Sequence, residues 1–213
     1  FEDGLEETLA TINYINNINP NTLFEVGTEE AIRKFTPDEL NILLRTISEF
    51  DFFDNVKYAV VQSGVGIDLG KRINTGKYDE SRLSEFIDVC KYWKVLSKEH
   101  NGDYLSIQEM KDKFNVGLDA INIAPEFGQL ETLCYIKSMG ANINELYDIC
   151  YESRRWEKWV DKNFVPEANK KELIQICGHY ILSDKKFNDI KPNIDDIIKT
   201  TIKNKLGELF NVK

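Results

Sequence analysis

His100 stands in the run Glu99-His100-Asn101-Gly102-Asp103-Tyr104, directly after the short apolar stretch that ends in Leu96-Ser97-Lys98. An imidazole among carboxylates can move protons near neutral pH or, with those carboxylates, hold a divalent metal that keeps open positions. Three other apolar stretches end in the same way. Glu25 and Glu29 follow the first, Gln62 and Ser63 the second, and Asn122 and Glu126 the last. Acid–base candidates are therefore Glu25, Glu29, Glu99, His100 and Asp103. Gln62, Ser63, Asn101, Asn122 and Glu126 are the candidates for binding a substrate, and His100 with Asp103 for holding a metal. The chain has 2 histidines, too few for a three-histidine zinc site, so a metal would need carboxylates as well.

Each group also has a plain structural reading. His100 beside Asp103 can be a polar pair that organises a loop, and Glu25 with Glu29 a charge pair at a helix N-terminus. Asn101-Gly102-Asp103 is a turn signal in its own right. Gly64, Gly66 and Gly70 lack the full fingerprint of a phosphate-binding loop. His179, between Gly178 and Tyr180, reads as a packed histidine.

Such groups need elements that carry them to one place, and the apolar periodicity supplies these. Leu5, Leu9, Ile12 and Ile15 form a helical stripe over 5–16, broken by Asn19-Pro20-Asn21. Residues 22–26 read as a first strand, and Thr36 with Pro37 starts a helix running to about 53. Residues 56–62 read as a second strand, apolar enough to be buried on both sides. A Gly-rich loop over 63–76 leads to a helix over 78–92. Strands at 93–97 and 118–123 follow, with a short helix at 107–114 between them. From 127 to 210 the pattern is helical throughout.

Alternating helices and strands predict an α/β fold with a parallel sheet. Polar groups at every strand end favour a TIM-type (β/α)8 barrel over a doubly wound sheet, because barrel sites are assembled from strand C-termini. Four strands make half of such a barrel, so the expected organisation is a C-terminal half-barrel over 1–140 and a helical extension over 141–213. The chain opens on Phe1 within a helical pattern, as expected of a piece of a longer protein.

The segments Phe24-Glu25-Val26-Gly27-Thr28-Glu29, Val60-Val61-Gln62-Ser63-Gly64-Val65, Glu99-His100-Asn101-Gly102-Asp103-Tyr104, Ile121-Asn122-Ile123-Ala124-Pro125 and Tyr180-Ile181-Leu182-Ser183-Asp184 follow one another in a familiar order. In this order the chain resembles the accessory, non-catalytic subunit family of class II tagatose-1,6-bisphosphate aldolase, over most of its length. The resemblance implies the C-terminal half of a (β/α)8 barrel plus a helical tail, and a phosphorylated ketose as ligand. It also implies either a partner catalytic aldolase subunit, or a metal-dependent aldolase or epimerase activity with Zn or Mn. A homo-oligomer is expected too. Asn122, where the family carries Lys, and Glu126 depart from its pattern, which implies a divergent member with another substrate or reaction.

Composition narrows the classes. With 213 residues, 42% hydrophobic, the chain can fill a core, and a net charge of −9 argues against nucleic acid as a partner. No apolar run approaches the about 20 residues of a membrane span, and no signal peptide opens the sequence, so a cytoplasmic location is expected. The four cysteines, Cys90, Cys134, Cys150 and Cys177, lie far apart within helical patterns and read as reduced core thiols.

Overall fold

The computed structural model describes residues 2–27, 34–61, 63–64, 66–140 and 143–211. Its chain divides into two compact units. The first comprises Phe1–Val65, Gly76–Gly102 and Glu109–Asn122; the second comprises Gly66–Thr75, Asp103–Gln108 and Ile123–Lys213.

The first unit is the α/β part. Helix α1 (Glu2–Ile18) leads to strand β1 (Phe24–Gly27), helix α2 (Pro37–Ile47), a 3-10 turn (Asp51–Asn55) and strand β2 (Val56–Val61). Of the elements after the hairpin strands β3 (Ile67–Asp68) and β4 (Ile73–Asn74), α3 (Glu80–Trp93), β5 (Leu96–Glu99), most of α4 (Ile107–Val116) and β6 (Ala120–Ile121) return to this unit. Strands β1, β2, β5 and β6 form one sheet in that order, and every pairing is parallel. The expected α/β fold with a four-stranded parallel sheet is present, consistent with a partial barrel.

Alternation along the strands sets the two faces of this sheet. Val26, Ala59, Val61, Ser97 and Glu99 are buried and, with Leu40, Leu44, Ile47, Leu83, Phe86 and Ile87 from α2 and α3, lie inside the helix-covered side. Glu25, Gly27, Tyr58, Val60, Leu96 and Lys98 occupy the opposite face, where Glu25 neighbours Tyr58 and Val60 lies between Gly27 and Lys98. A Cβ at Gly27 would sit 2.4 Å from that of Val60, so the two strands meet here only because residue 27 has no side chain.

Local signals explain the boundaries. Thr36 and Glu39 form a capping box at the start of α2, with Pro37 in the first turn. The helix expected to reach 53 stops at Ile47; Ser48 caps it and a 3-10 turn covers Asp51–Asn55. Asp79 caps α3, which runs on to Trp93 and closes on Lys94 in the left-handed conformation. The third strand therefore begins at Leu96, later than expected, and extends to Glu99, which brings Lys98 and Glu99 into the sheet. The last strand is shorter than expected, Ala120–Ile121. Within the Gly-rich loop, β3 and β4 form a small antiparallel hairpin.

The second unit is built from that hairpin and the helical run, α5 (Pro125–Met139), α6 (Ile143–Ser153), α7 (Lys170–Ile181), α8 (Lys185–Ile190) and α9 (Asp195–Phe210). Tyr135, Leu146, Cys150, Leu173, Ile174, Cys177 and Phe187 form its core. Helix α5, counted with the half-barrel over 1–140 on sequence grounds, groups here with the helices that follow it. All four cysteines are buried and unbridged. Among the described residues no helix is long and apolar enough to cross a membrane.

Candidate functional site

On the open face of the sheet, at the C-terminal ends of β1 and β5, Glu25 sits between two basic side chains. Its Oε2 lies 2.5 Å from Lys98 Nζ and its Oε1 lies 2.5 Å from His100 Nε2. His100 follows Lys98 by two positions, so both side chains leave the chain on the same side. The ammonium of Lys98 also stands 5.4 Å from the centre of the Tyr58 ring, a cation–π contact on the same face. The three side chains are part-exposed, 23% for Lys98, 28% for Glu25 and 37% for His100. Burial acts to raise the Glu25 carboxyl, but hydrogen bonds and charge from Lys98 and His100 together hold it below its ordinary value. Glu25 is thus ionised at neutral pH. A carboxylate on Nε2 makes that nitrogen the donor and leaves Nδ1 as the basic one.

Behind this face lies a second charged group. Glu99 is fully buried and pairs with Lys113 Nζ of α4 at 2.7 Å. Ser63 donates to the Glu99 carboxylate through its backbone N–H at 3.2 Å and through its hydroxyl, whose oxygen in turn accepts from Lys113 Nζ at 2.7 Å. Three segments distant in sequence, the ends of β2 and β5 and the middle of α4, are tied at one point, and each buried charge has a partner. Tyr78 places its ring 4.4 Å from the same ammonium. Asn122 links strand ends through its backbone: its N–H donates to Glu99 O at 2.8 Å, and its carbonyl accepts from Gly102 N at 2.9 Å.

Asp103 and Glu126 belong to the second unit. Asp103 Oδ1 accepts from the backbone N–H of Ala124 at 3.1 Å and of Glu126 at 2.7 Å. The side chain therefore serves the first turn of α5, whose own N-cap residue, Ala124, has no side chain to offer. Burial pushes the Asp103 carboxyl up despite those two donors, and its Oδ2 is enclosed without a partner. Glu126 is buried, pairs with Lys205 at 2.6 Å and accepts from Tyr104 N at 2.8 Å. The hydroxyl of Tyr104 donates to Gln129, and burial pushes it up to about 12. Tyr104 and Arg72 both adopt positive φ, 60° and 57°, and the guanidinium of Arg72 lies 5.9 Å from the centre of the Tyr104 ring.

The structure thus joins Glu25 to His100, and Glu99 to Ser63, and it places Asp103 with Glu126. Asn101 is exposed, with φ of 56°. Glu29 and Gln62 lie outside the described residues. His100 and Asp103, the expected metal pair, have separate partners: the imidazole is engaged by Glu25 and the carboxylate by the start of α5. Among the described residues no three His, Cys, Asp or Glu side chains are grouped to hold a metal ion. Sequence reasoning missed Lys98 and Lys113. Lys98 was available from its two-residue spacing to His100, whereas nothing local marks Lys113 over Lys111, the other lysine of its helix.

No family model matches the chain, and no curated protein matches it by sequence. Among solved structures it is similar to a probable tagatose 6 phosphate kinase from Sinorhizobium meliloti 1021, with a TM-score of 0.59 and 16% identity over 90% of this chain and 62% of that one. It is also similar to the glycerol-complexed fructuronate-tagaturonate epimerase UxaE from Cohnella laeviribosi, with a TM-score of 0.59 and 13% identity over 97% of this chain and 47% of that one. At these identities the likeness shows a shared fold. The chain spans less than two thirds of the length of either protein.

Proposed function

We propose that this chain forms part of a (β/α)8 barrel of carbohydrate metabolism, which binds an anionic, phosphorylated ketose at its strand C-termini and moves a proton beside the ketose carbonyl. The observation that carries this reading is Glu25 held between Lys98 and His100 at the ends of β1 and β5. Support for the sugar theme comes from neighbours of the same fold described as a probable tagatose 6 phosphate kinase and a fructuronate-tagaturonate epimerase, and from the ordered segments in which the chain resembles the aldolase accessory subunits.

In this reading His100 Nδ1 takes the proton next to the carbonyl, and Glu25 orients the ring and steadies the imidazolium that results. Lys98 offers its ammonium to the oxygen on which negative charge develops. Epimerisation and aldol cleavage both pass through such an enolate, so the same three side chains serve either. A divalent metal, Zn or Mn, would polarise the same carbonyl in a metal-dependent aldolase. His100 and Asp103 do not meet the needs of such a site by themselves, because each is engaged by a separate partner.

A non-catalytic accessory role is the second reading. It is favoured by Glu99 and Glu126, both committed to buried ion pairs with Lys113 and Lys205. Assay of ketose bisphosphates for aldol cleavage and epimerisation, with and without added Zn or Mn, separates the two. Turnover that falls in His100→Ala supports the enzyme. Absence of turnover in both conditions, with the chain raising the activity or stability of a class II aldolase, supports the accessory role.

A further inference from the structure

The β3–β4 hairpin of the second unit is braced at its turn by side chains from two helices. Gln129 of α5 donates through Nε2 to Leu69 O at 2.9 Å, and Gln175 of α7 donates to Gly70 O at 3.0 Å. Asp68 closes the turn: its Oδ1 accepts from Lys71 N at 2.9 Å and its Oδ2 lies 3.2 Å from Lys71 Nζ. Asn74 Nδ2 donates to Asp103 O at 3.0 Å, which ties the returning strand to the residue before Tyr104. Arg72 thus stands on a fixed support, as a side chain must that meets a ligand in one place.

The backbone of Arg72 is left-handed, with φ of 57°, and so is that of Tyr104, with φ of 60°. Glycine adopts this conformation freely and other residues rarely. The guanidinium carbon of Arg72 stands over the Tyr104 ring at 5.9 Å. Two non-glycine residues in this conformation, meeting side chain to side chain, mark a place where the side chains outweigh the backbone's preference. Arg72 is half-buried, and its Nε is enclosed without a partner. Among the described residues no carboxylate pairs with its guanidinium. Asp103 and Glu126, whose charges reach Tyr104, are committed elsewhere. Asp103 Oδ1 serves the N–H groups of Ala124 and Glu126, and Glu126 is held by Lys205 and Tyr104 N. An arginine drawn this far from water is ordinarily paired, and this one is not.

We propose that Arg72 is an anion-binding residue whose ligand is a phosphate group. With the Tyr104 ring on one face of the guanidinium, its edge is left for two oxygens of a phosphate, the geometry in which arginine binds such groups most firmly. The enclosed Nε–H gains the acceptor it lacks. The Tyr104 hydroxyl, which donates to Gln129, fixes the ring and takes no part in binding. The site is read from the second unit alone and does not rest on the proton transfer at Glu25 and His100, because its readout is binding and not turnover.

The whole chain, labelled with 15N, is titrated with inorganic phosphate at an ionic strength held constant with chloride. The Nε–H signal of Arg72, assigned by its loss in Arg72→Gly, should move to saturation, while that of Arg154, paired with Glu157 at 2.8 Å, stays in place. Dihydroxyacetone phosphate should move the Arg72 signal as well, and dihydroxyacetone should not. Tighter binding of the sugar phosphate than of inorganic phosphate identifies a phosphorylated sugar as the ligand; equal binding identifies the phosphate group alone. Arg72→Lys keeps the charge without the fork and should bind about 10-fold more weakly or worse. Arg72→Gly relieves the left-handed backbone, so without phosphate it should melt no lower than the unaltered chain, and it should lose the rise in melting temperature that phosphate gives. No movement with phosphate, equal movement with chloride or dihydroxyacetone, or an Arg72→Gly that melts lower without phosphate overturns the proposal. Should the Nε–H signal be too broad to follow, the phosphate dependence of the two melting temperatures decides alone.

Discussion

Glu25 and His100, 75 residues apart in sequence, meet at 2.5 Å over an intervening strand. β2 separates β1 from β5 in the sheet, so neither residue is the other's ladder neighbour. Two long side chains on one face span the gap, with Gly27 adding no side chain beside them. The contact follows from strand parity and parallel register rather than from any local motif.

Because the Glu25 carboxyl is held below its ordinary value of 4.5, its pairing stabilises the fold above that pH and is lost as pH falls through the lowered value. Its part-exposed position limits this to about 0–1 kcal/mol. Denaturant curves of the unaltered chain and Glu25→Gln should therefore differ most at neutral pH and converge as the pH falls below the ordinary carboxylate range. A difference that grows as the pH falls would contradict the assignment.

Asp103 has the opposite sign. Its carboxyl is raised above 3.8 mainly by burial, so its ionised form costs stability at neutral pH, and that cost fades as pH falls through the raised value. Asp103→Asn keeps an oxygen for the N–H groups of Ala124 and Glu126 and should be as stable as the unaltered chain at neutral pH or more so. Asp103→Ala strands those donors and should cost about 1–3 kcal/mol. Equal losses in both variants would show that the charge, not the cap, matters.

Lys113→Met leaves the Glu99 carboxylate buried without its cation and should cost about 3–5 kcal/mol. Adding Glu99→Met removes the stranded charge, and the double variant should recover most of the loss. Urea unfolding measures both. A single variant within 1 kcal/mol of the unaltered chain, roughly the worth of a surface pair, would mean that this pair is hydrated.

A Cβ at Gly102 would stand 2.0 Å from Ile121 Cγ2. Gly102→Ala must therefore push the turn after His100 away from β6, with an expected loss of about 1–3 kcal/mol. With two histidines in the chain, the imidazole NMR signals of His100 and His179 report it directly: the His100 signal should move and that of His179 stay. No change in either would contradict the tight approach.

Much of the fold was legible because periodicity and caps are local. The stripe in α1, the Thr36-Pro37 start of α2 and the apolar run of β2 each carry their own signal. The start of β5 was placed too early because Trp93 is as apolar as a strand residue; the left-handed Lys94 that ends α3 has no mark in its residue type. Site residues were legible as a set of strand ends, but their partners were not. Whether Glu99 faces solvent or Lys113 depends on which strand face α4 covers, a long-range fact. Asp103, likewise, reads as a free carboxylate until the first turn of α5 is brought to it.

Hydrogen–deuterium exchange at the carbon beside a ketose carbonyl tests the central claim most directly. Dihydroxyacetone phosphate, the smallest phosphorylated ketose, is incubated with the chain in D2O, with and without added Zn or Mn, and followed by proton NMR. Loss of the signal above the protein-free rate, reduced about 100-fold or more in His100→Ala, is the predicted result. Exchange no faster than without protein, or exchange undiminished in His100→Ala, would contradict it.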